Sequence, residues 1–301
     1  VLAKHLRSTP LLQQYLLYYP SPKSCSSTCM LCPTDTAALR LRMQTCIADV
    51  GCWMSSNRLQ LNTSKTEVMW CSSSRRRHQV PADSFVIGPD SVQPIDCVRD
   101  LGLYLDATMS MRAHISRLTS TCFGVLRQIC SIRRCLTSRA RDILVTCFVF
   151  ARLDYCNSAF AGLPRCDLQA VQNAAVRLVS GARKYDHVTP LLRDRHWLPV
   201  EQRIQFKIAV TVYKCMRGLT ADYLSDVTRP STASTTSRRL RSADHQALYV
   251  PRSKSRMGDR SFAVAGPSLW NRLPGNVAAA PSLAAFKKQL KTLLFAAAYS
   301  V

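Results

Sequence analysis

Cys52-Trp53-Met54-Ser55-Ser56-Asn57-Arg58-Leu59-Gln60-Leu61-Asn62-Thr63-Ser64-Lys65-Thr66-Glu67-Val68-Met69-Trp70-Cys71 is the stretch in which the apolar period changes, and that change decides the fold. Upstream of it, Leu39, Met43, Cys46, Ile47, Val50, Trp53 and Met54 recur at the three- and four-residue spacing of one helical face. Asp35 stands where such a helix needs its N-cap. Downstream, Thr66 to Cys71 alternates as a strand does. The chain thus leaves a long amphipathic helix with one buried face and enters a strand through a short polar connection.

Working outward, Arg75-Arg76-Arg77-His78 predicts a charged turn. Residues 84–87 and 91–98 read as strands of a hairpin split by Gly88-Pro89-Asp90, and 101–106 as a third strand. Beyond Asp106 the period is helical. Ile115, Leu118, Cys122, Val125, Leu126 and Ile129 form one stripe, and Ala140, Ile143, Leu144, Cys147, Phe148 and Ala151 a second. Leu168, Val171, Ala174, Ala175, Leu178 and Val179 form a third, stopped by Gly181. Ile204, Ile208, Val212, Tyr213 and Met216 form a fourth, opened by Leu198-Pro199 and stopped by Gly218. A last helix starts near Ser282, with Leu283, Phe286, Leu290, Leu293 and Leu294 on one face.

The class that follows is α+β: a small antiparallel sheet with a helix, then a mostly helical region and a basic tail. The divisions read are an irregular stretch at 1–33, a helix-and-strand part at 34–106, a helical part at 107–226, a Ser/Thr/Arg-rich linker at 227–260 and a tail at 261–301 with an amphipathic helix.

Among 301 residues, Lys plus Arg number 41 against 18 Asp plus Glu, a formal net charge of +23. An excess of that size speaks to a polyanionic partner rather than to the fold. Nucleic acid fits better than membrane, because the longest apolar run, 143–151, is about half of the ~20 residues a spanning helix needs. Leu11 to Leu17, interrupted by Gln13 and Gln14 and followed by no small-residue cleavage site, does not read as a signal peptide. The 14 cysteines are scattered through helical and strand patterns, which suits reduced thiols in an intracellular protein. Cys25, Cys29 and Cys32 have no second Cys/His pair at finger spacing, so no metal site is predicted. G-x-x-x-x-G-K-[ST], G-x-S-x-G and H-E-x-x-H do not occur.

With these elements placed, residues 52–67 closely resemble the W-M-x-x-N-x-L-x-L-N-x-x-K-T-E block of LINE-type (non-LTR) retrotransposon reverse transcriptases, which belongs to the polymerase palm and includes motif D. Arg99-Asp100-Leu101-Gly102-Leu103-Tyr104-Leu105-Asp106 is similar to the primer-grip strand that follows it. Leu153-Asp154-Tyr155-Cys156-Asn157 resembles the L-x-Y-x-N step of the thumb. Asp259 to Phe262, Gly266-Pro267-Ser268-Leu269-Trp270-Asn271-Arg272-Leu273-Pro274 and Phe286 to Lys291 resemble the tail of the CR1/L2-like branch. The likeness spans roughly 34–296, and four blocks in order are more specific than any one.

The resemblance implies a palm remnant, thumb and connection of an RNA-directed DNA polymerase, with RNA and DNA as partners and magnesium as the metal of the intact family. One departure decides the expected activity. The family's Y/F-A-D-D box should lie just upstream of the first helix, where Ser21 to Cys32 stand, and no Asp-Asp pair occurs in the chain. Residues 1–33 are expected to come from a frameshift or a spurious exon join, and the chain is expected to be inactive alone and to hold no cofactor. Lys65 matches the motif D lysine, which the resemblance implies as a general acid toward pyrophosphate. Arg127, Arg133, Arg134, Arg139 and Arg141 concentrate at one helix–helix junction, and guanidinium groups suit bidentate phosphate contact. Lys287, Lys288 and Lys291 lie off the apolar face of the last helix, and Arg238, Arg239 and Arg241 form an electrostatic arm. Three outcomes stay open: an inactive polymerase fragment that holds template–primer, a non-catalytic basic nucleic-acid-binding protein of retroelement descent, and a translated pseudogene without function.

Overall fold

The computed structural model describes residues 35–299 apart from 89, 227, 229, 231–246 and 254–255. The irregular stretch 1–33 with Cys25, Cys29 and Cys32, and the arm residues Arg238, Arg239 and Arg241, lie outside the described residues. The protein is mixed α and β, with two small antiparallel sheets. Its contacts divide into two units, one up to His114 and the other from Ile115.

The first unit begins with helix α1, Asp35–Ser56. Its buried face is narrower than the period predicts. Met43, Ile47 and Val50 turn inward, but Trp53 stays 38% exposed. Arg40 reaches past that face, ion-pairing with Asp83 at 2.9 Å and lying 5.4 Å over the Phe85 ring. The helix stops without glycine. Arg58 takes φ +57°, the Leu59 amide donates to the Met54 carbonyl at 2.8 Å, and the Arg58 amide donates to the Ser55 carbonyl at 3.0 Å. These are the bonds of a Schellman stop, in which a left-handed residue satisfies the last carbonyls.

Val68, Met69 and Trp70 are all buried because the chain here passes between two clusters. Val68 and Trp70 join Phe85 and Ile87, while Met69 joins Val98 and Ala107. The alternation read from the sequence is therefore real, but the segment makes a single bridge, parallel, from Val68 to Pro94. Strands β1 (Phe85–Ile87) and β2 (Asp90–Val92) pair as the predicted hairpin, with Gly88 at φ +60° in its turn. The second predicted strand does not run to Val98. It breaks around Pro94, which has no N–H to donate to a ladder. The chain then resumes as β3 (Cys97–Asp100), paired antiparallel with β4 (Leu103–Asp106). Leu101 and Gly102, read as the start of a strand, are instead the turn, at φ +45° and +85°. Two consecutive left-handed residues give the twist of a type I′ hairpin.

The link out of β4 is fastened by Asp106. Its carboxylate accepts from the Thr108 hydroxyl at 2.7 Å, the Ser110 amide at 2.8 Å and the Ser110 hydroxyl at 2.9 Å. Burial opposes its ionisation, but these donors outweigh burial and hold the carboxyl below its ordinary range. His114 is buried, and its Nδ1 accepts from the Tyr104 amide at 3.4 Å, which places the ring proton on Nε2. Burial pushes its pKa down.

Helix α2, Arg112–Ser131, buries Ile115, Leu118, Cys122, Leu126 and Ile129 on the predicted stripe and carries the chain into the second unit. Helix α3, Ser138–Val145, is capped by Thr137, whose hydroxyl accepts from the Ala140 amide at 3.2 Å. It continues through a π turn at Thr146–Phe150 and a helical turn at Ala151–Asp154. The predicted face of this segment is the wrong one. Ile143 is 52% and Phe148 49% exposed, and Cys147 and Ala151 are exposed too, while Val145, Val149, Phe150 and Leu153 are buried. The run is apolar almost all round, so more than one stripe satisfies a helical period.

Helix α4 (Cys166–Ser180) ends at Gly181, φ +68°, as predicted. A short helix α5 (Val188–Asp194), which the period did not announce, leads to helix α6 (Val200–Met216). Two glutamines join α4 to the start of α6. Gln172, wholly buried, donates to the Leu198 carbonyl at 2.8 Å, and Gln169 accepts from the Val200 amide at 3.0 Å. The second bond satisfies one of the orphan donors of a helix N-terminus.

Helix α6 is the axis of the second unit. Against it pack α7 (Phe262–Trp270) and α8 (Leu283–Tyr299). Phe286 stacks on Tyr213 at 4.4 Å between ring centroids, Trp270 lies 5.8 Å from Phe286, and the Tyr213 hydroxyl donates to the Ala280 carbonyl at 2.9 Å. Gly266 faces Val212 so closely that a Cβ there would sit 3.1 Å from a valine methyl. Asn271 holds Leu248, accepting from its amide and donating to its carbonyl, both at 2.9 Å. Leu248, within the stretch read as linker, is thereby tied into the core that the tail builds.

Candidate nucleic-acid interface

Lys65 closes a 3-10 turn, Thr63–Lys65, in the first unit and is exposed. The turn is built by its neighbours. The Thr66 hydroxyl donates to the Asn62 carbonyl at 3.0 Å, the Ser64 hydroxyl to the Asn62 side chain at 2.6 Å, and the Thr63 hydroxyl to Asp90. Asn62, Thr63, Ser64 and Thr66 thus have a local structural purpose, and Lys65 is exposed beside them.

The five arginines lie on consecutive elements of the second unit. Arg127 is in the last turns of α2, Arg133 and Arg134 in the 3-10 turn Arg133–Cys135, and Arg139 and Arg141 in the first turns of α3. Arg127, Arg133, Arg134 and Arg139 are exposed, and Arg141 is half-buried with its Nε lacking a hydrogen-bond partner. None of the five makes an ion pair among the described residues. Asp142, the acid next to them, is taken by Arg195 at 2.5 Å. The sequence-level concentration therefore survives as a basic junction without internal neutralisation.

Lys287, Lys288 and Lys291 are exposed on α8, off the face that buries Phe286, Leu290 and Leu294. Lys291 also reaches a feature the sequence did not announce, a cavity of about 440 Å³ lined by Trp197, Phe206, Lys207 and Lys291 together with Asp154, Asn157 and Arg203. Its wall is organised by the L-x-Y-x-N step. Arg203 grips Asp154 with two guanidinium nitrogens, Nε at 2.9 Å, and lies 4.8 Å over the Phe150 ring. Phe150 meets Trp197 edge-on at 4.5 Å. Asn157, 4% exposed, donates to Asp154 at 3.4 Å. His196-Trp197 forms a turn, with His196 at φ +52° and the Trp197 amide donating to the Leu192 carbonyl at 2.9 Å. Lys207 shares a side of α6 with Arg203 and Phe206, beside the face of Ile204 and Ile208, but which elements close over that side is a matter of tertiary packing.

Four carboxylates among the described residues of the first unit are engaged by neighbouring side chains. Asp83 is engaged by Arg40, Asp90 by Thr63, Asp96 by Arg77 and Asp106 by Thr108 and Ser110. Among the described residues no three His, Cys, Asp or Glu side chains gather as a metal site, and no helix is long and apolar enough to cross a membrane. Comparison with protein-family models, with curated proteins and with solved structures finds no match.

Proposed function

We propose that this chain is the palm-to-tail portion of a LINE-type reverse transcriptase that holds nucleic acid through its basic second unit and does not polymerise by itself. The observation that carries the binding half is the α2–α3 junction, where four exposed arginines and a half-buried fifth have no acidic partner among the described residues, in a chain of charge +23. Guanidinium groups so placed suit bidentate contact with phosphate. The lineage half rests on the ordered blocks of sequence resemblance. Magnesium chemistry belongs to the intact family. The carboxylates described above are committed to other partners, so no step through that metal is assigned to them.

The test is filter binding of an RNA–DNA heteroduplex in rising salt. If each of the five arginines meets one phosphate, the logarithm of affinity falls against the logarithm of salt with a slope of about −4.5. Replacing Arg127, Arg133, Arg134 and Arg139 by Ala is expected to flatten that slope by about 3 to 4. Absence of binding at low salt, or an unchanged slope in the variant, overturns the assignment. Primer extension with magnesium is expected to give no dNTP incorporation, and any incorporation overturns the catalytic half.

A further inference from the structure

We propose that the cavity between α6 and the middle of α8 is a binding site for a 5′-phosphorylated nucleoside, with Lys207 and Lys291 on the phosphate and Trp197 and Phe206 against the base. Its volume of about 440 Å³ lies within the range of small-molecule sites. The charges are divided in a way that favours a dianion. Arg203 also lines the cavity, but Asp154 holds its guanidinium in a two-nitrogen grip, so that pair serves as wall. Lys207 and Lys291 are exposed and make no ion pair among the described residues, leaving two ammonium groups unneutralised at one cavity. A phosphate monoester carries a charge of about −1.5 to −2 at pH 7, which two ammonium groups match.

The apolar side is equally suited. Trp197 is half-buried and braced edge-on by Phe150, and Phe206 is half-buried against the core of the second unit. A braced indole offers a nucleobase a stacking surface at little cost in rotamer freedom. Neither an acidic ligand without a ring nor a neutral aromatic uses both halves of this lining. The inference does not depend on polymerase ancestry or on heteroduplex binding by the arginines.

The experiment is titration of the full chain with thymidine 5′-monophosphate (dTMP), read by intrinsic tryptophan fluorescence and by calorimetry. The expected result is saturable quenching by dTMP, and at least tenfold weaker quenching by thymidine, which lacks the phosphate. Lys207→Gln with Lys291→Gln is expected to weaken dTMP binding at least tenfold while circular dichroism is unchanged, since both side chains are exposed. Trp197→Phe is expected to remove the quenching but keep the calorimetric signal, locating the base. No saturable dTMP binding up to about 10 mM, or equal binding by the double lysine variant, overturns the site. A ten-residue thymidylate with and without its 5′-phosphate separates the two sources. Tighter binding of the phosphorylated strand than of the same strand without its 5′-phosphate assigns a strand end, and equal binding of the two strands assigns the free nucleotide; both carry the proposal.

Discussion

Phe286→Ala tests whether the C-terminal helix is an integral wall of the second unit. Phe286 is fully buried, stacked on Tyr213 of α6 and beside Trp270 of α7. Truncating a buried phenylalanine removes roughly 100 Å² of apolar surface, about 2.5 kcal/mol by transfer alone. The cavity left behind and the lost ring pairing bring the expected cost to about 4 kcal/mol. That is a large fraction of the ~5 to 15 kcal/mol by which a domain is stable. The assay is urea unfolding followed by far-ultraviolet circular dichroism. At a denaturant slope of about 2 kcal/mol per molar, the midpoint falls by about 2 M. Lys287→Ala, one residue along on the exposed side, is the control and is expected to change stability by less than about 0.5 kcal/mol. A Phe286→Ala cost below about 1 kcal/mol, or equal effects of the two substitutions, refutes the docking of α8 on α6.

Other outcomes follow from single sites. Leu101→Asn, at a left-handed position followed by Gly102, is expected to raise stability by up to about 1 kcal/mol, measured by thermal unfolding; a loss of stability contradicts the type I′ turn. Asn271→Ala leaves the buried Leu248 without side-chain partners for its amide and carbonyl, so a loss of about 2 kcal/mol is expected in the same urea assay; no change means those groups are satisfied elsewhere. His114 has a folded pKa held below its ordinary 6.5 by burial, so the unfolded chain binds its proton first as pH falls. Its contribution to stability is therefore present above about pH 6.5 and lost as pH drops from there toward the lower folded value. Comparing urea midpoints between pH 8 and 5.5 for the native chain and His114→Gln checks this, and parallel pH profiles defeat it.

Where one face of an element is apolar and the other polar, the period alone places it. The stripes of α2, α4, α6 and α8 are found where Ile115, Val171, Ile208 and Leu290 announce them. It fails where local chemistry or tertiary partners decide. The run from Ile143 to Ala151 carries apolar residues on both sides, and no local rule says which side is covered. Leucine favours no turn, so the sequence predicts a strand from Leu101, yet that residue and Gly102 connect the paired strands β3 and β4 with positive φ. Arg58 ends α1 in a position where glycine is the usual signal, so the stop was invisible. Of the candidate interface, the arginine junction was legible because its members are close in sequence. The cavity was not, because Trp197, Lys207 and Lys291 come from three separate elements.

Several residues that carry the family likeness are accounted for by folding, although Trp53, Leu59, Lys65 and Tyr155 stay exposed. Asn62 organises the turn before Val68 by accepting from Thr66 and Ser64. Gly102 completes a tight hairpin. Asp154 and Asn157 fasten the chain to Arg203, Gly266 admits the close approach of Val212, and Asn271 clamps Leu248. None of these roles requires a metal, a nucleotide or a primer. The demand for a stable fold is therefore enough to account for these particular residues. Retention of Asn62, Asp154 or Asn271 does not distinguish a working polymerase from a binding protein. The exposed charges bear on binding instead, since Arg127, Arg133, Arg134 and Arg139 have no ion-pair role in the described fold. The salt slope of the four-arginine variant is therefore the measurement on which function, as distinct from descent, turns.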